Sequence, residues 1–399
     1  MHLKKIIFLL LIAVVGIPVY CFSVRGDSKR RRRGKRGPQS MIVVEKLAGT
    51  GTKQVTHAGT KFFKKPTVIP AKPKRVVAFA SSDPIFFLGY APVAQAGYWD
   101  FCPQEHYLNP YAQAGKTGHV GGVYGARIPN AESVMTFKPD LIVATRFSFQ
   151  NYKQFSKIAP VVLLPSYKKH NAVLSIIDMG KILGCEQRSL RAAVWYLRKV
   201  QLVRQALAEH ASDVNKVSLL WYAGRRIRVC LRHFIYEELG LKPVTKVPWV
   251  GKHFKGSETY YMDPEQFAYI KADHLFVIQM KYRRKLSAAN YDKLSIWKMI
   301  PAVQRDRVTR VHVGHWISGG PLGKSILMNE VVRAMLKPEH ISPELKAMLK
   351  DRPSDEDLEN IKLDSVLNLL KQNQADKKRR PGKNSRRGDK SKRFKRGKQ

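Results

Sequence analysis

Residues 186–211, EQRSLRAAVWYLRKVQLVRQALAEHA, read as one uninterrupted helix with no Gly or Pro inside. Apolar side chains recur every three or four positions and therefore share one helix face: Leu190, Val194, Leu197, Val200, Val203 and Leu207. At 1.5 Å per residue the helix would be roughly 39 Å long, enough to cross a domain. Gly184, just before it, is expected to end a preceding helix at 171–183.

The sequence on either side of this helix contains the same unit twice. Residues 130–143 (NAESVMTFKPDLIV) and 263–276 (DPEQFAYIKADHLF) align at a constant offset. Three charged positions coincide: Glu132 with Glu265, Lys138 with Lys271, and Asp140 with Asp273. Each copy predicts a short helix, a Lys-x-Asp turn and a buried parallel strand, and apolar strands at 75–80 and 217–223 precede them. We therefore predict an α/β fold of two Rossmann-like lobes, joined by one long helix, with a ligand cleft between the lobes.

Length and charge restrict the class of protein. A chain of 399 residues with 44% hydrophobic residues is long enough for two folded domains. The net charge is +42, and the segments 27–40 and 376–399 alone carry seven and thirteen Lys or Arg. Such a chain suits anionic partners: nucleic acid, a phospholipid surface or an acidic small ligand. The four Cys contain no CxxC, and at most two of the three beyond the leader could pair.

Composition divides the chain into seven segments. Residues 1–26 resemble a secretory signal, with Lys4 and Lys5 before an apolar run and a cleavage site after Gly26. An uncleaved membrane anchor and lipidation at Cys21 stay open as alternatives, although Tyr20 is bulky for a lipid-attachment box. The other predicted segments are a basic disordered linker at 27–72, an N-terminal lobe at 73–170, connecting helices at 171–214, a C-terminal lobe at 215–337, a helical extension at 338–376 and a basic disordered tail at 377–399.

Several catalytic and binding motifs are absent or incomplete. Residues 320–325 (GPLGKS) end like a phosphate loop, but such a loop requires Gly where Ser318 stands, so a strand-to-helix turn is favoured. His312 and His315 have no third metal ligand beside them and are interpreted as structural. We find no GxSxG, HExxH or Cys-His arrangement that indicates hydrolysis. No nucleic-acid-binding motif accompanies the basic tails, which suit the anionic surface of a membrane instead.

Arg and aromatic residues cluster where the predicted strands end. Ligands of open α/β sheets bind outside the carboxyl ends of parallel strands. Arg side chains with aromatic rings from both lobes would suit a flat or ringed anion. The candidate ligand-binding residues are Tyr98, Trp99, Arg127, Arg146, Trp221, Tyr222, Arg225, Trp249 and Trp316.

At these residues the chain resembles a known family, the class III periplasmic substrate-binding proteins of iron-siderophore and cobalamin ABC importers. The resemblance covers about 73–336, and six segments carry it: PKRVVAFASSDPIFFLGYAPVAQAG (73–97), VGGVYGARIPNAESVMTFKPDLIVAT (120–145), YKQFSKIAPVVLLP (152–165), IIDMGKILGCE (176–186), GSETYYMDPEQFAYIKADHLFVI (256–278) and WKMIPAVQRDRVTRVHVGHWISGGPLGKSILMNEVVRAML (297–336).

The resemblance implies an exported monomeric receptor that carries a ferric siderophore, or a similar anionic chelate, to an ABC permease dimer and does no chemistry. No resident cofactor is implied, since iron would travel as the chelate. It also implies that Glu132 and Glu265 dock the two lobes on the permease. Arg127 matches a siderophore-binding Arg approximately, one residue out of register, and Trp249 and Trp316 match cleft aromatics. The chain departs from the family in its basic tails, its missing lipid box and its His/Tyr-rich segment 104–119.

Three other functions stay open. Haem or cobalamin could occupy the same cleft, because the aromatic residues could stack on either. A two-lobed cofactor-handling enzyme is a second alternative, although no Cys cluster or dinucleotide motif supports it. The third is a basic structural protein associated with a membrane or with nucleic acid.

Overall fold

The computed structural model describes residues 42–57, 65–97, 106–122, 129–145, 152–164, 172–211, 213–214, 216–223, 226–244, 259–279, 291–317 and 320–362. For 222, 223, 226 and 279 only the backbone is described.

Three sheets organise the described residues. The first is antiparallel, in the order β1-β2-β3: Ile42–Lys46, Thr52–His57 and Thr67–Pro70. The second is parallel, in the order β6-β5-β4-β7-β8: β4 Val76–Phe79, β5 Ala94–Gly97, β6 Gly118–Gly122, β7 Leu141–Thr145 and β8 Val161–Leu164. The third is mixed, in the order β11-β10-β9-β12-β13: β9 Val217–Ala223, β10 Arg226–Cys230, β11 Thr259–Met262, β12 His274–Gln279 and β13 Val308–His312.

The α-helices that cover these sheets are α1 Ser82–Phe87, α2 Asn109–Ala114, α3 Ala131–Thr136, α4 Tyr152–Phe155, α5 Ala172–Leu183, α6 Glu186–His210, α7 Phe234–Glu237, α8 Pro301–Gln304, α9 Val313–Trp316, α10 Pro321–Met335, α11 Pro343–Ala347 and α12 Asp355–Glu359. The 3₁₀-helices used below are Pro264–Tyr269 and Pro338–His340.

The two predicted lobes are confirmed as separate sheets, one before and one after the long helix. β9, β12 and β13 are parallel to one another, as the αβ pattern predicts. β10 and β11 add two antiparallel strands that the sequence does not predict. Both sheets pack into buried apolar clusters, which is why strands such as Leu141–Thr145 read as continuous apolar runs.

The internal repeat has the same structural role in both lobes. Asp140 accepts hydrogen bonds from the backbone N–H groups of Lys74 (2.7 Å) and Arg75 (2.9 Å), just ahead of β4. Asp273 accepts one from the N–H of Lys216 (3.0 Å), just ahead of β9. Each aspartate therefore fixes the start of the strand that lies next to its own in the sheet.

The long helix runs over Glu186–His210, one residue shorter than predicted. Gly184 ends the preceding helix with a φ of +72°, and a Cβ there would lie 2.4 Å from the carbonyl oxygen of Ala71, so only Gly fits this turn. Burial extends beyond the predicted face to Trp195, Tyr196 and Lys199, because α10, α11 and α12 also pack on this helix.

The disordered linker predicted at 27–72 is wrong for 42–57 and 65–70, which form the antiparallel sheet. The inward face of β2 carries Lys53, Val55 and His57, so no apolar alternation is visible in the sequence. Lys53 Nζ donates to the carbonyl oxygens of Ala71 and Lys181, both at 2.7 Å. Backbone carbonyl groups just outside the N-terminal lobe thus pair with the inward ammonium of Lys53.

His57 protects an edge of the N-terminal lobe. β8 is the last strand of its sheet, and edge strands leave backbone groups unpaired. His57 Nε2 accepts a hydrogen bond from the N–H of Leu163 at 3.1 Å, which requires that nitrogen to be unprotonated. Burial lowers the pKa of His57 to about 4 and so keeps the ring neutral at ordinary pH.

The described part of the C-terminal extension, up to 362, ties the lobes together. Asp351 accepts hydrogen bonds from Tyr111 of α2 (2.7 Å) and Asn329 of α10 (2.9 Å). Arg352 donates to the carbonyl oxygen of Phe86 at 2.9 Å. The extension therefore contacts helices that precede and follow the long helix in the chain.

Candidate ligand-binding site

The first strand of the N-terminal lobe ends in a tight turn. Ala80 adopts a left-handed conformation with a φ of 53°, an uncommon conformation for a residue with a side chain. Ser81 Oγ then donates to the carbonyl oxygen of Val143 on the neighbouring strand at 2.8 Å. The turn directs the chain into α1, and Asp83 lies in its first helical turn.

Six candidate ligand-binding residues lie outside the described residues: Tyr98, Trp99, Arg127, Arg146, Arg225 and Trp249. Tyr222 belongs to β9, but its side chain is likewise not described. Their roles stay predictions.

The prediction that Trp316 lines an open cleft is wrong, because its ring has no exposed surface. The imidazole of His233 stacks on it at 5.7 Å between ring centroids, and Phe276 packs at 4.8 Å. The indole N–H donates to Glu330 Oε2 at 2.5 Å. Since these partners come from three distant segments, the sequence alone could not distinguish a core ring from a cleft ring.

Histidine and tyrosine side chains from both lobes meet near this core. His106 packs against Tyr107 (4.7 Å between centroids), and Tyr107 packs against His315 (6.1 Å) of the C-terminal lobe. His312 accepts from the N–H of Gly314, and His315 lies 2.8 Å from Glu330. Burial and then the neighbouring His312 and His315 lower the pKa of His106 to about 4. His312 thus caps the start of α9, and His315 is buried beside Glu330.

Glu330 is kept as a carboxylate inside this cluster. Burial would raise its pKa, but hydrogen bonds from His315 and Trp316 outweigh burial and lower it. The described residues contain no group of three or more His, Cys, Asp or Glu side chains that could hold a metal ion. Among the described residues, Cys185 is a free thiol.

The segment interpreted as a strand-to-helix turn begins α10, with Gly320 as the residue before its first turn. Lys324, which would contact the phosphate in a true phosphate loop, has other neighbours here. Its side chain is buried, 3.8 Å from Glu238, with the ammonium 5.2 Å from the centre of the Phe234 ring.

Trp221 stands near the carboxyl end of β9. It belongs to a row of three side chains on neighbouring strands, Trp221, Arg228 and Tyr261, that the sequence does not indicate. Its cross-strand neighbour is Arg228 of β10, whose other neighbour is Tyr261 of β11. The Arg228 guanidinium lies 4.5 Å from the centre of the Trp221 ring and 5.1 Å from that of Tyr261. Arg228 and Tyr261 lie on strands that the sequence does not predict, so only strand pairing could have revealed this row.

The repeat glutamates Glu132 and Glu265 are both exposed, as predicted. Glu132 lies in the first turn of α3. The backbone N–H of Glu132 donates to Oδ1 of Asn130, the N-cap of this helix, at 2.9 Å. Glu265 lies in the first turn of the 3₁₀-helix Pro264–Tyr269, where Asp263 and Gln266 form a capping box. Rigid caps thus hold each carboxylate on the surface of its lobe.

Solved structures with a similar fold include SirA of Staphylococcus aureus, in a crystal structure complexed with staphyloferrin B. It matches with a TM-score of 0.54 and 25% identity, over 69% of this chain and 97% of that one.

No helix among the described residues is long and apolar enough to cross a membrane.

Curated relatives match over a similar extent. The achromobactin-binding periplasmic protein of Dickeya dadantii is 28% identical over 279 residues, which are 65% of this chain and 86% of that protein. The probable siderophore-binding lipoprotein YfiY of Bacillus subtilis is 24% identical over 308 residues, 73% of this chain and 90% of that protein. The family model described as periplasmic binding protein matches residues 103–312, more than half of the sequence. The chain therefore belongs to the periplasmic binding protein family.

Proposed function

We propose that this protein is an exported substrate-binding protein of an ABC importer that captures an anionic ferric siderophore between its lobes. The observation that carries the proposal is the match to SirA, which extends over 97% of a structure with a siderophore bound. The names of the relatives, an achromobactin-binding and a probable siderophore-binding protein, support the same ligand class.

The charge of the chain fits an anionic chelate. Ferric carboxylate and catecholate complexes carry net negative charge, and Arg side chains meet such oxygens with charge-assisted hydrogen bonds. Arg127, Arg146 and Arg225 follow strands of both lobes and are the proposed partners. The basic tails would add non-specific attraction, either to the chelate or to an anionic membrane surface.

We expect tighter binding of an anionic ferric carboxylate or catecholate than of a neutral ferric hydroxamate. Each Arg–anion contact would contribute about 1.5–3 kcal/mol, so Arg146→Ala should weaken anionic binding about ten- to a hundredfold. Tryptophan fluorescence titration at physiological salt measures both affinities.

A variant truncated after residue 376 serves as the control for attraction by the tail. Equal affinities for the anionic and neutral chelates would contradict the proposal that the ligand is anionic. The visible absorption of the freshly purified protein distinguishes the alternatives, because haem and cobalamin have spectra that differ from those of ferric chelates.

Docking on the permease is proposed for Glu132 and Glu265, one on each lobe. Replacing both with Arg should abolish siderophore-dependent iron uptake by cells while leaving chelate affinity unchanged, because both side chains are exposed on capped surface turns. Glu339→Arg makes the same charge change on another exposed 3₁₀-helix and should leave uptake intact. Normal uptake by the double variant would disprove the docking role.

A further inference from the structure

The guanidinium of Arg228 lies between two aromatic rings on one face of the C-terminal sheet. The antiparallel register places it directly opposite Trp221 on one side and Tyr261 on the other. Its guanidinium lies over both rings and donates from Nη2 to the Tyr261 hydroxyl oxygen. Stacking on both sides restricts the rotamers of a long side chain, so the guanidinium is oriented before any ligand arrives.

The charge of Arg228 is not neutralised within the described residues. Six other described arginines pair with carboxylates: Arg188, Arg198, Arg232, Arg305, Arg307 and Arg310. Three more, Arg75, Arg204 and Arg352, donate to backbone carbonyl oxygens. Arg228 has no carboxylate within ion-pair distance among them, and its buried Nε has no hydrogen-bond acceptor there. Guanidinium stays charged at any physiological pH, and a half-buried cation without a counter-ion is costly unless an anion can reach it.

The row lies at the edge of the sheet where a ligand is expected. Trp221 pairs with Ile278 of β12, which pairs with Val311 of β13. All three stand within two residues of the carboxyl ends of their parallel strands, and ligands of open α/β sheets bind beyond those ends. Tyr261 keeps 45% of its surface exposed, so the outer end of the row is open to solvent.

We infer that Arg228, braced by Trp221 and Tyr261, is an anion-binding residue of the C-terminal lobe that contacts carboxylate or catecholate oxygens of the bound chelate. The inference rests on the proposed function, and it adds a cation from β10 to a site otherwise predicted from loop residues. The planar fork of an arginine matches two oxygens at once, which a lysine ammonium does not. Arg228→Lys should therefore lose most of the affinity that Arg228→Ala loses.

The test titrates the full chain with three probes: ferric citrate, an anionic ferric tris-catecholate and a neutral ferric tris-hydroxamate. We expect Arg228→Ala to weaken binding of at least one anionic probe about ten- to a hundredfold and to change binding of the neutral probe less than threefold. Tyr261→Phe, which removes only the hydroxyl brace, should have a smaller effect of the same selectivity. Arg232→Ala is the matched control, because it removes a nearby arginine that is paired with Glu237.

The outcomes separate this inference from the function on which it rests. If the unaltered chain binds none of the probes, the proposed function fails. If it binds an anionic probe and Arg228→Ala binds equally well, Arg228 does not contact the ligand. Equal weakening of the binding of all three probes would also overturn the inference, since it would assign Arg228 a structural role between β9 and β11.

Discussion

Replacing Lys199 with Ala is expected to lower the free energy of unfolding by about 3–5 kcal/mol. The side chain is fully buried in the long helix. Its ammonium donates to Ser325 Oγ (2.8 Å), Asn329 Oδ1 (2.7 Å) and the carbonyl oxygen of Lys350 (2.6 Å). Alanine would remove the donor from Asn329 Oδ1 and Ser325 Oγ and would create a cavity between three segments. Urea unfolding followed by circular dichroism measures the loss.

The adjacent residue provides the control. Arg198 pairs with Glu344, but both side chains are about half exposed, and such surface pairs contribute less than about 1 kcal/mol. Arg198→Ala should therefore lower stability far less than Lys199→Ala. If the two variants lost stability equally, the buried ammonium would not be holding the helix, α10 and the C-terminal extension together.

The contribution of Lys199 should also depend on pH. Burial lowers its pKa from 10.5 to about 7. Between those values the unfolded chain binds more protons than the folded one, so this residue makes stability rise with pH. Lys199→Met removes the titration, and the stability advantage of the unaltered chain over this variant should grow from pH 7 to pH 10. A constant difference would show that Lys199 keeps an ordinary pKa.

The lobes were predictable because their signals are local. Asp140 and Asp273 occupy equivalent turns and fix equivalent strands, and an offset of 133 residues in the sequence reveals both. The bounds of the long helix follow from apolar spacing and from Gly184, the residue that must end the helix before it. Strands buried on both faces read as apolar runs without further information.

The remaining features depend on partners far away in the chain. The strand Thr52–His57 looks like a linker because its inward Lys53 and His57 bond to the backbone of Lys181 and Leu163. Trp316 has the composition of a cleft residue, but its neighbours bury it. The Trp221–Arg228–Tyr261 row exists only through strand pairing. None of these arrangements has a periodic signal in the sequence.

Replacing Asp83 is the other substitution expected to lower stability strongly, because Asp83 joins two helices, α1 and α10, that are far apart in the chain. Its carboxylate lies in α1 and accepts hydrogen bonds from the N–H groups of Leu322 and Gly323 at the start of α10, both at 2.9 Å. The Tyr107 hydroxyl donates to the same carboxylate at 2.7 Å. Burial raises the pKa of Asp83, while these three hydrogen bonds oppose that shift.

Gly320 shows how closely the two helices approach. A Cβ on Gly320 would lie 2.1 Å from Oδ1 of Asp83, so any larger residue there must displace the Asp83 carboxylate. The Asp83 carboxylate thus replaces the side-chain cap that α10 does not have from its own N-cap residue. Because α10 begins after the last strand of the C-terminal lobe, this contact links the two lobes directly. We expect it to limit their relative movement, as a long rigid connecting helix also would.

Asp83→Ala should cost about 2–4 kcal/mol of unfolding free energy, because it leaves buried donors unpaired at a helix N-terminus. Tyr107→Phe removes only one of the three donors and should cost about 1 kcal/mol. Asn130→Ala removes the exposed N-cap side chain of α3 and should cost about 1 kcal/mol of unfolding free energy. This loss is the reference for the other two variants. Thermal and urea unfolding of the three variants give the ranking. An Asp83→Ala loss no greater than that of Asn130→Ala would mean that the two lobes are held together without this contact.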